Sequence, residues 1–232
     1  MLQKILKHIN QGTLKIALTR ELLRAFKHST PYIYYFNRKN RINYGPLAPR
    51  FAETIWVNPL NVNYKIINPS YGKYSWMISG EVVETFWPVE QAMPITENQI
   101  VRSCIDHWVN NIPWKETVYY KYLVDVIMEE GRYKQYKSIE DIEKRYLKMD
   151  EIFKQVKREN RLKPNDTIKK NCLLYRKVGS KIHIGPKGEL FKGSGGMHRF
   201  AMAYILKIKY PAQIGLVHKS AIPYLNELRK NL

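Results

Sequence analysis

A glycine-rich loop close to the C-terminus carries the densest set of groups able to do chemistry. It reads Gly193-Ser194-Gly195-Gly196-Met197-His198-Arg199 and joins a short strand pattern to an amphipathic helix pattern. Glycines let the backbone approach a ligand closely and adopt positive φ. The N-terminus of a helix offers free N–H groups and the positive end of its dipole, and both favour an anion. His198 and Arg199 add donors in the first turn. The pattern predicts that residues 193–199 bind phosphate; the alternative is a tight turn with an incidental His-Arg pair.

Four further residues have types suited to phosphate chemistry. Glu81 and Glu84 follow a predicted strand at a spacing of i, i+3, and in a phosphotransferase one of them could act as general base or metal ligand. Their alternative role is that of exposed surface carboxylates. His218 and Lys219 end another predicted strand and are candidates to contact phosphate or an acidic acceptor. The sequence shows no Ser-His-Asp order, zinc-ligand spacing or Walker-type loop.

Both strands and helices are predicted around the loop. Residues 181–230 follow the order strand, turn, strand, loop, helix, strand, helix, and the last helix is predicted from Ala221 to Asn231. The helix after the loop has a complete stripe of apolar positions, and residues 212–218 alternate as a strand does. The stripe consists of Met197, Phe200, Ala201, Tyr204, Ile205 and Ile208.

The rest of the chain divides by pattern into three parts. Residues 1–30 predict a basic amphipathic helical segment, which could lie on an anionic membrane or simply pack on the domain. Residues 31–95 are broken by prolines, and strands are predicted at 55–57, 65–67 and 76–78. Residues 96–170 predict three helices and then a basic loop. The first helix opens with a capping box of Thr96 and Gln99, the second ends at Gly131, and the third opens with Ser138 and Asp141. The apolar stripe of the third helix consists of Ile142, Tyr146, Met149, Phe153 and Val156. We expect an α/β or mixed α+β fold, in which 31–95 and 171–232 form the core and 96–170 a helical insertion.

The chain is strongly basic. It has 39 Lys and Arg against 20 Asp and Glu, which gives a formal net charge of +19 over 232 residues. Such a surface attracts nucleic acid, anionic lipid or acidic glycans, although AT-rich codon usage would also enrich lysine. No run of apolar residues is long enough to span a bilayer, and no signal peptide is evident. Cys104 and Cys172 lie far apart, so we expect reduced thiols and a cytoplasmic protein.

Three segments together resemble the ParB/sulfiredoxin superfamily. The first is Ile182-His183-Ile184-Gly185-Pro186-Lys187-Gly188-Glu189-Leu190-Phe191, the second is Gly195-Gly196-Met197-His198-Arg199-Phe200-Ala201-Met202-Ala203, and the third is Ile208-Lys209-Tyr210-Pro211-Ala212-Gln213-Ile214. The resemblance covers about residues 181–218. It implies a small sheet of that type and a nucleotide, ATP or CTP, whose phosphates lie on the loop, with Mg²⁺. Met197 occupies the position of the sulfiredoxin nucleophile, and a thioether cannot replace a thiolate, so sulfinic-acid reduction is not expected.

Three hypotheses of function remain at this point. The leading one is an ATP-dependent phosphotransferase, a small kinase, acting on a polar, glycan-like or lipid-linked acceptor. In this hypothesis the γ-phosphate faces the carboxylates near Glu81, and Glu81, Glu84 and His198 are the candidate catalytic residues. The second is a nucleotide-gated nucleic-acid-binding module or nuclease, and the third is a nucleotide-binding protein without catalysis.

Overall fold

The computed structural model describes residues 29–66, 78–84, 92–163 and 180–230, together with Thr19, Leu22, Leu23, Phe26 and Lys27. Within these residues the chain forms a mixed α/β structure, as expected in general terms. The helices are α1 (Thr30–Tyr44), α2 (Gln99–Trp108), α3 (Val118–Glu130), α4 (Ile139–Glu159), α5 (Met197–Leu206) and α6 (Leu225–Lys230). The strands are β1 (Thr54–Val57), β2 (Tyr64–Ile66), β3 (Glu81–Val83), β4 (Ala92–Pro94), β5 (Lys181–Ile184), β6 (Leu190–Lys192) and β7 (Tyr210–His218).

All the described strands belong to one mixed sheet. Its order is β1-β7-β5-β6-β2-β4, and β3 pairs with β7 beside β1. Strand β7 is parallel to β5 and β3 and antiparallel to β1. It runs for nine residues, nearly all buried, and spans about 26 Å from end to end.

Four of the helices pack on one another. Helix α2 contacts α5 and α3, and α4 contacts both α3 and α5. One hydrophobic core joins these helices to the sheet, and it includes Ile55 of β1, Ile182 of β5, Phe200 of α5 and Ile142 of α4. The apolar stripe predicted for the third helix is buried throughout, at Ile142, Tyr146, Met149, Phe153 and Val156.

Local signals end and begin several helices as predicted. Gly131 ends α3 in the left-handed region, and the Ser138 side chain accepts a hydrogen bond from the backbone N–H of Asp141 at the start of α4. The prediction of a capping box at Thr96 and Gln99 is wrong. The N-cap of α2 is Asn98, whose side chain accepts from the N–H of Ile100, while residues 95–97 form a 3₁₀ turn.

The prediction of only extended structure after residue 30 is also wrong, because helix α1 occupies Thr30–Tyr44. Ser29 caps this helix, and Pro31 occupies its first turn, where a missing N–H costs nothing. Its inner face is mixed: Tyr32 and Phe36 pack on Phe51, and the buried residue Asn40 donates to the carbonyls of Pro49 and Gly80 at 2.8 and 2.9 Å. Because aromatic and polar residues share this face, it lacks the purely apolar periodicity by which amphipathic helices are identified from sequence.

The remaining strand predictions hold with small shifts in their ends. The exception is the strand at 76–78, since residues 76 and 77 lie outside the described residues and Ile78 is not in a strand. The predicted helix at 221–231 is shorter, because Lys219–Tyr224 forms a 3₁₀ turn containing Pro223 and α6 follows it. Most of the predicted segment 1–30 also lies outside the described residues. No helix within them is long and apolar enough to cross a bilayer.

Candidate functional site

The glycine-rich loop lies where β6 ends and α5 begins, beside the first residues of β5 and β7. Gly195 and Gly196 have φ of 77° and 63°, values that favour glycine. A Cβ on Gly196 would lie 2.8 Å from the Cβ of Ser180 and 3.0 Å from the hydroxyl of Tyr210. The glycine at this position therefore serves both the turn and the close packing of the loop on the sheet.

Four consecutive carbonyl groups of the loop are hydrogen-bonded to the interior of the protein. The Lys192 ammonium donates to the carbonyls of Gly193 and Gly195, at 2.9 and 2.7 Å. The Ser180 hydroxyl also donates to Gly195 at 3.0 Å, and the backbone N–H of Lys181 donates to the Ser194 carbonyl at 3.0 Å.

The fourth carbonyl, that of Gly196, is bonded in the same way. It accepts from the N–H of Phe200 at 2.9 Å and from the Tyr210 hydroxyl at 3.4 Å. Lys192, Ser180 and Tyr210, which supply the side-chain donors, are all buried. The carbonyls of residues 193–196 thus point into the protein.

The amide groups of the loop must point the other way. In a trans peptide the C=O and the following N–H are antiparallel, and the described residues contain no cis bond. The N–H groups of residues 194–197 are therefore directed outward, and none of them donates to another described residue. Successive outward amides at the start of a helix form an anion-binding concavity.

Lys192 gives this concavity a positive charge from below. Its side chain is completely buried, and burial followed by the charge of Lys65 lowers its pKa from 10.5 to about 7. Its hydrogen-bond partners are neutral carbonyls, so the buried ammonium has no bonded carboxylate. An anion on the outer side of the loop would supply the missing counter-charge. The sequence pattern missed Lys192, since a strand lysine normally indicates an exposed position.

The two cationic candidates of the loop point in different directions. The guanidinium of Arg199 donates to the carbonyl of Lys163, and its charge acts on Tyr210. The ring of His198 lies between Tyr119 and Tyr146, with centroid separations of 6.1 and 6.2 Å. Burial, and then the charges of Arg145 and Lys134, lowers the pKa of His198 to about 4. His198 is therefore a neutral hydrogen-bonding group at pH 7.

The other predicted site residues lie along β7 or beyond its far end. Glu81 pairs with Leu216 in the sheet and forms an ion pair with Lys27 at 3.4 Å. Its charge also acts on Lys181, whose backbone is hydrogen-bonded to the loop. Glu84 pairs with Lys219 at 3.1 Å, beyond the end of β7 that is farther from the loop. His218 bonds to the hydroxyl of Ser220 at 2.8 Å in the same place.

The predicted meeting with the loop is consequently not found for Glu84, His218 and Lys219. The loop touches β7 at Tyr210, and His218 lies at the other end of that strand, about 26 Å away. Among the described residues no group of three or more His, Cys, Asp or Glu side chains could hold a metal ion. We therefore assign no protein ligand to Mg²⁺.

The helical layer contains a polar cluster that the sequence pattern did not reveal. In the part of the chain that the structure describes, the Tyr146 hydroxyl and Nε of Arg145 are buried without a hydrogen-bond partner, and both belong to α4, against which His198 packs. By contrast the Asp150 carboxylate of α4 accepts from Trp108 and Trp114 at 2.8 and 3.1 Å. The Asp150 network is thus satisfied within the protein, whereas the groups around His198 are not.

Comparison of the chain with protein-family models, curated proteins and solved structures finds no match.

Proposed function

We propose that the chain binds a phosphate-bearing ligand on the loop Gly193–Arg199, and that this ligand is a nucleotide. The observation that carries the proposal is the set of four inward carbonyls, which directs the N–H groups of residues 194–197 outward at the start of α5. Phosphate is the ligand that such an arrangement suits, because its oxygens accept several hydrogen bonds at once.

The electrostatics of the loop support an anion. Lys192 lies beneath the loop and Arg199 on its helical side. Burial lowers the pKa of Arg199 and Tyr210 raises it, and no carboxylate contributes.

The choice of a nucleotide comes from the ParB/sulfiredoxin-like segments of the sequence, and ATP and CTP both remain candidates. Within this proposal the chain is a nucleotide-binding protein.

Phosphotransfer is a further step that we do not assign to particular residues. Its expected base or metal ligand, Glu81 or Glu84, is in each case paired with a lysine, and Glu84 lies at the far end of β7. A kinase acting from this loop would need a base from another part of the chain.

Thermal unfolding with added nucleotide tests the proposal. We expect ATP or CTP at millimolar concentration to raise the unfolding temperature, because a ligand that binds only the folded state stabilises it. GTP and Mg²⁺-free samples, run in parallel, measure selectivity for the base and the contribution of the metal.

Arg199→Ala is the matching variant. We expect it to weaken binding by about 1.5–3 kcal/mol, the usual scale of a hydrogen bond to a charged group. His218→Ala, at the other end of β7, is the control and should bind as wild type does. The proposal fails if wild type binds no nucleotide or if the two variants behave alike.

A further inference from the structure

Two buried donors of helix α4 have no hydrogen-bond partner among the described residues. The Tyr146 hydroxyl is one of them, in a side chain that is only 3% exposed, and Nε of Arg145 is the other. A buried polar group without a partner costs free energy, so such groups usually bind water or a ligand.

Both donors lie next to the start of α5. The ring of Tyr146 is 6.2 Å from that of His198, the second residue of the helix, and Arg145 is close enough to act electrostatically on both. The free N–H groups of the loop immediately precede His198. The unpartnered buried side chains therefore lie beside the residue that directly follows the outward amides.

The charged groups around Tyr146 and His198 indicate which kind of ligand this cluster would accept. Arg145 and Lys134 are the charged groups that act on His198, while Tyr119, Cys104, Tyr136 and Arg145 act on Tyr146. None of these is a carboxylate. Each of the three side chains, Arg145, Tyr146 and His198, can donate a hydrogen bond, so the cluster suits an anion.

We propose that Arg145, Tyr146 and His198 form a second phosphate subsite, which holds a further phosphate group of a ligand whose first phosphate lies on the loop. This inference rests on the proposed function of the loop and specifies its ligand as a polyphosphate, such as a nucleoside triphosphate. It also gives the helices of residues 99–159 a part in ligand selection.

Calorimetric titration with two simple probes tests the subsite. Inorganic phosphate requires the loop alone, whereas tripolyphosphate is long enough to reach both places. We expect Tyr146→Phe to weaken tripolyphosphate binding about tenfold, the scale of a hydrogen bond to a charged group, and to leave inorganic phosphate unchanged within about twofold. Arg145→Gln should have the same selective effect.

Tyr120→Phe is a matched control. Tyr120 is 4% exposed, its hydroxyl also lacks a partner, and its ring packs 5.5 Å from that of Tyr146. Its charged neighbours are Glu143 and Lys115 instead of Arg145. Both phenylalanine variants should fold at least as stably as wild type without ligand, because each removes an unpaired buried hydroxyl.

The outcomes separate the two proposals. The subsite is supported if Tyr146→Phe selectively loses tripolyphosphate binding while Tyr120→Phe binds both probes as wild type does. If wild type binds both probes but the two phenylalanine variants behave alike, the subsite is wrong and the loop proposal stands. If wild type binds neither probe, the loop proposal fails and the subsite fails with it.

Discussion

The two ends of β7 show how similar residue types can serve different purposes. At the end near residue 218, the side chains have partners: Lys219 binds Glu84 at 3.1 Å, and Ser220 donates to the Pro186 carbonyl at 2.6 Å. At the Tyr210 end, the loop turns four carbonyls inward and leaves its amides without a described acceptor. Both ends carry basic and polar residues.

The difference lies in whether the polar groups are already satisfied. Groups that bind one another hold the fold together and have little left to offer a ligand, whereas oriented donors without acceptors keep their full binding capacity. Residue type and position at a strand end did not distinguish the two. The two ends are distinguished by whether each polar group has a hydrogen-bond partner, and variants at either end can test this difference.

The largest effect is expected at the loop backbone. Gly196→Ala should lower the free energy of unfolding by about 2–4 kcal/mol, because alanine is strained at positive φ and its Cβ would press on Ser180 and Tyr210. Gly131→Ala has the same backbone strain, with φ of 72°, but open space around the new Cβ, and should cost about 1–2 kcal/mol. Chemical denaturation measures both, and equal losses would mean that the loop is not tightly packed.

An intermediate effect is expected from the buried lysine. Lys192, whose pKa is lowered to about 7, should help to bind sulfate when protonated, so wild-type affinity should fall about tenfold between roughly pH 6 and pH 9. Lys192→Met should bind more weakly at the lower pH and lose most of this dependence. Sulfate is the suitable probe because its own charge stays constant over the range. A pH profile that is identical in the two proteins would contradict the role of Lys192.

The same lysine should affect stability with a definite sign. Between pH 7 and 10.5 it is protonated in the unfolded chain and neutral in the folded one, so folding releases a proton. Its contribution to the free energy of unfolding therefore rises with pH across this window. Denaturation of wild type and Lys192→Met at both limits isolates that contribution.

The smallest effect is expected at the far end of β7. Glu84 and Lys219 are 53% and 56% exposed, and exposed ion pairs contribute about 0–1 kcal/mol. Glu84→Gln should therefore change stability by less than about 1 kcal/mol and leave sulfate binding as in wild type. A clear loss of sulfate binding in this variant would restore Glu84 to the site and remove the contrast between the two ends.

Sequence reasoning reached the loop because its signals are local. Glycines, a helix stripe and an alternating strand stand next to one another in the chain, so no knowledge of the sheet was needed. Predicting that Glu81 and Glu84 join the loop required the strand order and the position of β3 along β7, which no local pattern contains. The same limit applies to Ser180 and Tyr210, which become partners of the loop only through the pairing of β5 with β7.

Other features were hidden by their residue types. Lys192 and Arg145 carry charges that usually indicate exposed positions, and only packing reveals that a lysine ammonium or an arginine Nε is buried. Tyr146 was correctly placed on the buried stripe of α4, but the stripe cannot show that its hydroxyl would lack a partner.

The buried ring of His183, on β5, packs against a glycine that follows β6 and a glycine within β7. The ring of His183 fills space that glycine leaves on both sides: a Cβ on Gly193 would lie 2.4 Å from its Nε2, and a Cβ on Gly215 would lie 2.6 Å from its Nδ1. Its Nδ1 also accepts a hydrogen bond from the N–H of Leu216 at 2.8 Å. These three positions should therefore vary as a set: in a combinatorial library or a lineage of descendants, any larger residue at 193 or 215 requires a smaller one at 183.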